Sequence, residues 1–204
     1  MHKSFKWLLG IVLGLFILMA SVYTWFHFTF KDWPNRYVTL EDVKRNYDSH
    51  HTQLAELRGW IDAKMPTSKA IDIEFASKDE LFIFHVTDHE NRSNNWNVSM
   101  HSKLADSLLQ LLHWNKQDLP LLKQKLEAAN CISIQSGQPA VVGFQRSGFG
   151  KYYYLLFNRP LNGQERLRYN DSCSYLLHND TVVLEYGGGA VGAQCFPGIR
   201  KNWK

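Results

Sequence analysis

CISIQSGQPAVVGFQRSGFGKYYYLLF, residues 131–157, decides the fold. It holds three strand-like stretches rich in β-branched and aromatic residues: Cys131–Gln135, Ala140–Gln145 and Lys151–Phe157. Gly137 and Pro139 punctuate the first connection, and Ser147, Gly148 and Gly150 the second. Neither gap has room for a helix, so the pairing is antiparallel, because parallel neighbours need a long crossover. Alternation along Tyr152, Tyr153 and Tyr154 puts Tyr153 on the opposite face from the other two, so one side of this strand is core.

Working outward, Ser174–Leu177 and Thr181–Tyr186 read as two more strands, with His178, Asn179 and Asp180 as a hairpin turn. Upstream, Ile71-Asp72-Ile73-Glu74-Phe75 alternates with period two and reads as a half-buried strand. Leu81–Val86 is a second strand and Trp96–Met100 a short third, with residues 88–95 as a polar loop between them.

Three helices complete the domain. Thr39 caps the first, with Glu41 and Asp42 near the positive end of its dipole. Its apolar positions are Leu40, Val43, Tyr47, Leu54, Leu57 and Ile61, with His50 standing in the gap, and it ends near Met65 and Pro66. That stripe suits a helix lying on a sheet, or a short membrane-proximal coiled coil. The second helix starts at Ser102 and has Leu104, Leu108, Leu111 and Leu112 on one face. The third starts at Asp118 and Pro120 and buries Leu119, Leu122 and Leu126. The expected class is α+β: a mostly antiparallel sheet with about three helices packed on one face, as a single domain over residues 39–204.

Residues 7–26, WLLGIVLGLFILMASVYTWF, carry no charge. A helix of that length spans about 30 Å, the hydrocarbon thickness of a bilayer. Aromatic residues stand at both ends (Trp7, then Tyr23, Trp25 and Phe26), as in an interfacial belt. The expected layout is a cytoplasmic tail over residues 1–6, a transmembrane signal anchor over 7–28 and a tether over 29–38. Lys3 and Lys6 precede the span, whereas Lys31 and Asp32 cancel after it, so the positive-inside rule puts the domain outside the cytoplasm. The run is too long for the apolar core of a cleaved signal peptide, and Leu18 spoils a small-residue cleavage site before Ala20. Gly10 and Gly14 fit the G-x-x-x-G pattern of a helix-dimer face.

The chain has 204 residues with 23 Lys and Arg against 19 Asp and Glu, a net charge of +4. Beyond residue 30 the balance is 21 against 19, which gives no case for a nucleic-acid partner. Gly187, Gly189 and Gly192 match G-x-G-x-x-G after a strand, but Pro197 and the end of the sequence leave no room for the helix that a dinucleotide needs. Near Gly150 and Lys151, Gln145 stands where a phosphate loop needs its first glycine and Tyr152 where it needs Ser or Thr. No cofactor is expected.

His85, Asp88, His89 and Glu90 form the densest group of metal-ligand types. They leave a strand for a loop, which suits polar turn residues better than a closed metal site. Cys131, Cys173 and Cys195 allow three pairings. Cys173–Cys195 is favoured, tying the tail to the last hairpin and adding about 3 kcal/mol in the chain-entropy picture, with Cys131 a buried thiol. The alternative makes Cys195 a nucleophile after a glycine-rich turn, with His85, His89 or His178 as its base. Asn91, Asn97, Asn170 and Asn179 each begin an N-x-S/T acceptor sequence. The expectation is a single-pass protein of the inner or plasma membrane. Its outer domain binds a small ligand or an envelope or surface protein, or pairs with a second copy. A membrane-anchored hydrolase with a Cys/His or metal site is the alternative.

Overall fold

A computed structural model describes residues 14–16, 18–25, 38–89, 91–147, 150–189 and 195–199. The chain divides into two compact units, Met1–Tyr37 and Val38–Lys204. In the first, residues 14–16 and 18–25 are helical and their apolar side chains are exposed, Phe16, Met19 and Trp25 among them. Among the described residues, no helix is long and apolar enough to cross a membrane. The remainder of the expected anchor over residues 7–28, and the tether through residue 37, lie outside the described residues.

The second unit is α+β. Its strands are β1 (Lys69–Phe75), β2 (Glu80–Asp88), β3 (Asn91–Ser93), β4 (Trp96–Ser99), β5 (Ser133–Gln135), β6 (Ala140–Ser147), β7 (Gly150–Leu156), β8 (Tyr175–Asn179) and β9 (Val182–Gly187). They form one sheet in the order β3-β2-β1-β5-β6-β7-β9-β8, with β4 also paired to β2. Every pairing is antiparallel. The helices are α1 (Leu40–Lys64), α2 (Lys103–Leu111), α3 (Asp118–Ala128) and α4 (Gly163–Arg168).

Two elements differ from the sequence reading. Asn91–Ser93, assigned to a polar loop, pairs with β2 because backbone hydrogen bonding is indifferent to side-chain polarity. α4, absent from the reading, is a six-residue helix built on a capping box between Asn162 and Glu165. None of its residues is buried, so no apolar stripe marks it.

α1, α2 and α3 cover one face of the sheet. Val43, Leu54, Leu57 and Ile61 of α1 join Leu108, Leu109, Leu119, Leu122 and Leu126 over Ile73, Phe84, Ile134, Val142 and Leu184. The α1 stripe is therefore spent on this core and is not free for a coiled coil. Thr39 and Asp42 cap α1 reciprocally, at 3.2 and 3.1 Å. The helix breaks its geometry at His50 (φ −128°, ψ 18°), where the ring Nδ1 donates to the Asn46 carbonyl at 2.9 Å. That oxygen is the normal helical acceptor for residue 50, so the side chain competes with the backbone where the apolar stripe has its gap.

β7 holds the start of α1. The Tyr152 hydroxyl donates to the Val38 carbonyl at 2.7 Å and the Tyr154 hydroxyl to the Val43 carbonyl at 2.9 Å. Buried Asn46 donates to the Tyr154 hydroxyl at 3.0 Å and accepts from Asn130 at 2.8 Å, linking α1 to the end of α3. Both tyrosine rings are fully buried. A smaller cluster of Leu155, Leu161 and Val183, with Tyr153, Tyr169 and Tyr175 packed against it, lies on the other face. Tyr154→Phe, which strips Asn46 and Val43 of a shared partner, is expected to cost about 1–3 kcal/mol in urea unfolding with an unchanged m-value.

Candidate functional site

The face of the sheet turned away from the helices carries a band of ionisable groups. Strand registers bring them together: Asp72 lies opposite His85 and Gln135, Glu74 opposite Ser133, Ser133 opposite Gly143, and Gly143 opposite Tyr153. Period-two alternation puts these residues on one face, with Ile71 and Ile73 on the other. A bulge in the β1–β2 pairing, between Glu74 and Phe75, adds Phe82.

Glu74 is the centre. It is 3% exposed and accepts from Arg146 Nε at 2.7 Å, Arg146 Nη2 at 2.9 Å and Lys151 Nζ at 2.7 Å. Burial pushes its carboxyl upward, but the bonds from Arg146 and Lys151 outweigh that and hold it below the usual range. Lys151 also donates to the Ser133 hydroxyl at 2.6 Å, and burial draws its ammonium down against the pull of Glu74. Gly143 makes this crossing possible. A Cβ there would overlap Ser133 Oγ and Lys151 Cε. Burial raises Asp72, opposed by the charges of Lys151, His85 and Arg92. Burial likewise raises Glu185, which accepts from the Tyr175 hydroxyl at 3.2 Å, and pushes Tyr153 up to about 12.

Around this centre a circuit of contacts runs from Asp72 to Glu74, its two ends two residues apart on β1. Arg92 Nη2 reaches Asp72 at 3.5 Å and donates to His85 Nδ1 at 2.8 Å. The His85 ring meets Trp96 edge-on, centroids 4.8 Å apart, and Trp96 meets Phe82 at 5.7 Å. The Arg146 guanidinium lies 5.0 Å over Phe82 and ends the circuit at Glu74. Guanidinium only donates, so His85 Nδ1 accepts and the ring hydrogen sits on Nε2. That buried Nε2 has no partner among the described residues.

Of the residues singled out in the sequence as catalytic or metal-ligand candidates, only His85 joins this circuit. His89 sits in the following turn with φ 54°, and its side chain is 78% exposed. Glu90 lies outside the described residues, and no group of three His, Cys, Asp or Glu side chains converges among those described. Cys173 and Cys195 are joined in a disulfide, which occupies the sulfur that a Cys195 nucleophile needs. The disulfide fixes the tail, whose Phe196 packs on Tyr152 and Tyr186. Cys131 is buried, donates to the Ala129 carbonyl at 3.3 Å and has its thiol pushed up by burial, which makes it a poor nucleophile. His178 binds Asp48 at 3.0 Å and stacks edge-on with Tyr47, with no nucleophile among its contacts. Gly10 lies outside the described residues, and Gly14 has open space beside it.

Ser133 and Lys151 resemble a nucleophile–base pair in distance alone. Lys151 is tied to Glu74 at 2.7 Å and Ser133 is 2% exposed, so the pair is closed to a substrate. The arrangement sets partly exposed guanidiniums and aromatic edges over a buried ionic network. Asp72, Glu74, Lys151, Arg92 and Arg146 were not singled out from the sequence. The available signal was an acidic pair and a lysine inside strands that are otherwise apolar. No family model, no curated protein and no solved structure matches this chain.

Burial and the Arg92 charge lower the affinity of His85 for a proton, opposed by Asp72. The folded state then favours neutral His85, so its contribution is complete above pH 6.5 and is lost as the pH falls below that value. Unfolding free energy is expected to fall on acidification from pH 6.5, by at most about 1.4 kcal/mol per pH unit from this group. His85→Gln is expected to flatten that part of the curve in chemical denaturation.

Proposed function

We propose that the chain is a single-pass protein of the inner or plasma membrane whose outer domain binds an acidic segment of another protein. Residues 7–28 anchor it, with Gly10 and Gly14 available to pair with a second copy. Support for the anchor comes from the 20 uncharged residues, their aromatic ends and the two lysines before them. The Cys173–Cys195 disulfide favours an oxidising compartment for the domain.

The observation that carries the binding reading is Trp96, 55% exposed, in one circuit with Arg92 and Arg146, whose side chains are 52% and 43% exposed. Trp and Arg are the residue types that dominate binding hot spots. Asp72 and Glu74, two residues apart on β1 and so roughly 7 Å apart, hold the two guanidiniums in place before any partner arrives. A buried ion network is a weak source of stability compared with apolar packing, so its rigidity is better explained as pre-organisation of the surface above it.

In cells, the chain is expected to resist alkaline extraction from membranes and to show a C-terminal tag on the non-cytosolic side. A photo-crosslinker replacing Trp96 is expected to capture a polypeptide that the same group at Glu56, exposed on α1, does not. Arg92→Glu is expected to abolish that capture. A freely soluble chain, or equal labelling from positions 96 and 56, contradicts the proposal.

A further inference from the structure

We infer that a cavity between α1 and the β7–β9 end of the sheet is a binding site for a small organic carboxylate, held by Arg58. The site lies on the helix-bearing face, so it stands apart from the surface around Trp96. Its volume is about 100 Å³, roughly two-thirds of an engineered core cavity that takes up benzene. Leu54, Leu156 and Val182 give it an apolar lining, and Tyr47, His51 and Arg58 supply polar groups.

Arg58 decides the chemistry of the ligand. It is 8% exposed, so its guanidinium is largely screened from water and gains from a close anion. Its Nη2 is spent on the neutral Gln138 Oε1 at 2.9 Å. Its one carboxylate partner among the described residues, Asp62, meets only Nε, at 3.4 Å, and is itself 44% exposed. Nη1 makes no hydrogen bond to a described residue. Glu74, on the opposite face, shows how this chain treats a buried charge when the pairing is internal: three bonds of 2.7–2.9 Å. Arg58 has only the long Asp62 contact and lies beside a space whose lining is largely apolar. A carboxylate on Nη1 supplies the missing charge, and a body of a few carbons covers Leu54, Leu156 and Val182.

Tyr47 adds a second donor. Its hydroxyl accepts a long bond from Asn179 Nδ2 at 3.5 Å and keeps its own hydrogen to give. His51 Nδ1 donates to the Asp48 carbonyl at 3.1 Å and is not available to the ligand. An organic amine would meet Arg58 as a like charge, and inorganic phosphate would leave the apolar lining uncovered.

The test uses the full chain in detergent and radiolabelled benzoate in equilibrium dialysis, with benzyl alcohol as the uncharged counterpart and inorganic phosphate as competitor. Benzoate is expected to bind saturably and at least about tenfold more tightly than benzyl alcohol, the difference set by one charge-assisted contact. Phosphate is expected to compete at least about tenfold more weakly than unlabelled benzoate. Arg58→Met is expected to remove the preference for benzoate. Ala55→Phe, at an exposed lining position, is expected to block both aromatic probes. Absence of saturable benzoate binding, equal affinity for benzyl alcohol, or unchanged binding in Ala55→Phe would overturn the inference. The comparison of benzoate with benzyl alcohol needs only the unaltered chain, so it decides the matter even if Arg58→Met does not fold.

Discussion

One carboxylate constrains the rest of this domain. Glu74 stands in the middle of a nine-stranded sheet, 3% exposed, between Lys151 and Arg146. Leaving such a charge without partners is strongly unfavourable, so the strands that bring its partners are tightly specified. β7 must present Lys151, β6 must present Arg146, and β5 must present Ser133 to take another Lys151 hydrogen. Gly143 must lack a side chain so that Lys151 can pass. A one-residue slip of β7 would turn Lys151 into the apolar core and Tyr152 out of it. The ion network and the hydrophobic face therefore enforce the same register from opposite sides.

The two faces divide the work. On one, Tyr152 and Tyr154 reach through the core to bond the residue before the α1 cap and the first turn of α1, so helix and sheet are joined by polar contacts as well as packing. On the other, no helix with a buried residue covers Asp72, Glu74, Lys151 and Arg146 among the described residues. Their long side chains and the rings of Tyr153, Phe82 and Trp96 form that layer instead. A surface whose donors are already aligned loses little conformational entropy when it meets a partner.

Much of the architecture was legible in the pattern of residues. Strand punctuation at Gly137, Pro139 and Gly148, and the alternation through Tyr152–Tyr154, give an antiparallel sheet with one core face. Ser102 and Thr39 mark helix starts that the structure uses. The site was much less legible. Alternation in Ile71–Phe75 sends Asp72 and Glu74 away from the core, which by itself reads as solvent. Only the cross-strand registers show that Glu74 faces Ser133 and Lys151, and pairing between residues 74 and 151 has no local signature. His85 was visible as a possible ligand type, yet its partner is Arg92 across a strand pair and not His89 next along the chain. The kink at His50 was hidden for a related reason: an imidazole fits the helical stripe by spacing, while its nitrogen competes for the backbone carbonyl.

The most direct measurement is a double-mutant cycle on Glu74 and Lys151, with unfolding free energies for the parent, Glu74→Gln, Lys151→Met and the combined variant. If the pair is the buried, mutually dependent contact described above, Glu74→Gln strands a buried ammonium. The combined loss should then fall short of the sum of the single losses by about 2 kcal/mol or more. Losses that add to within about 0.5 kcal/mol would mean that the two side chains do not hold one another, and that the charged face is not organised around them.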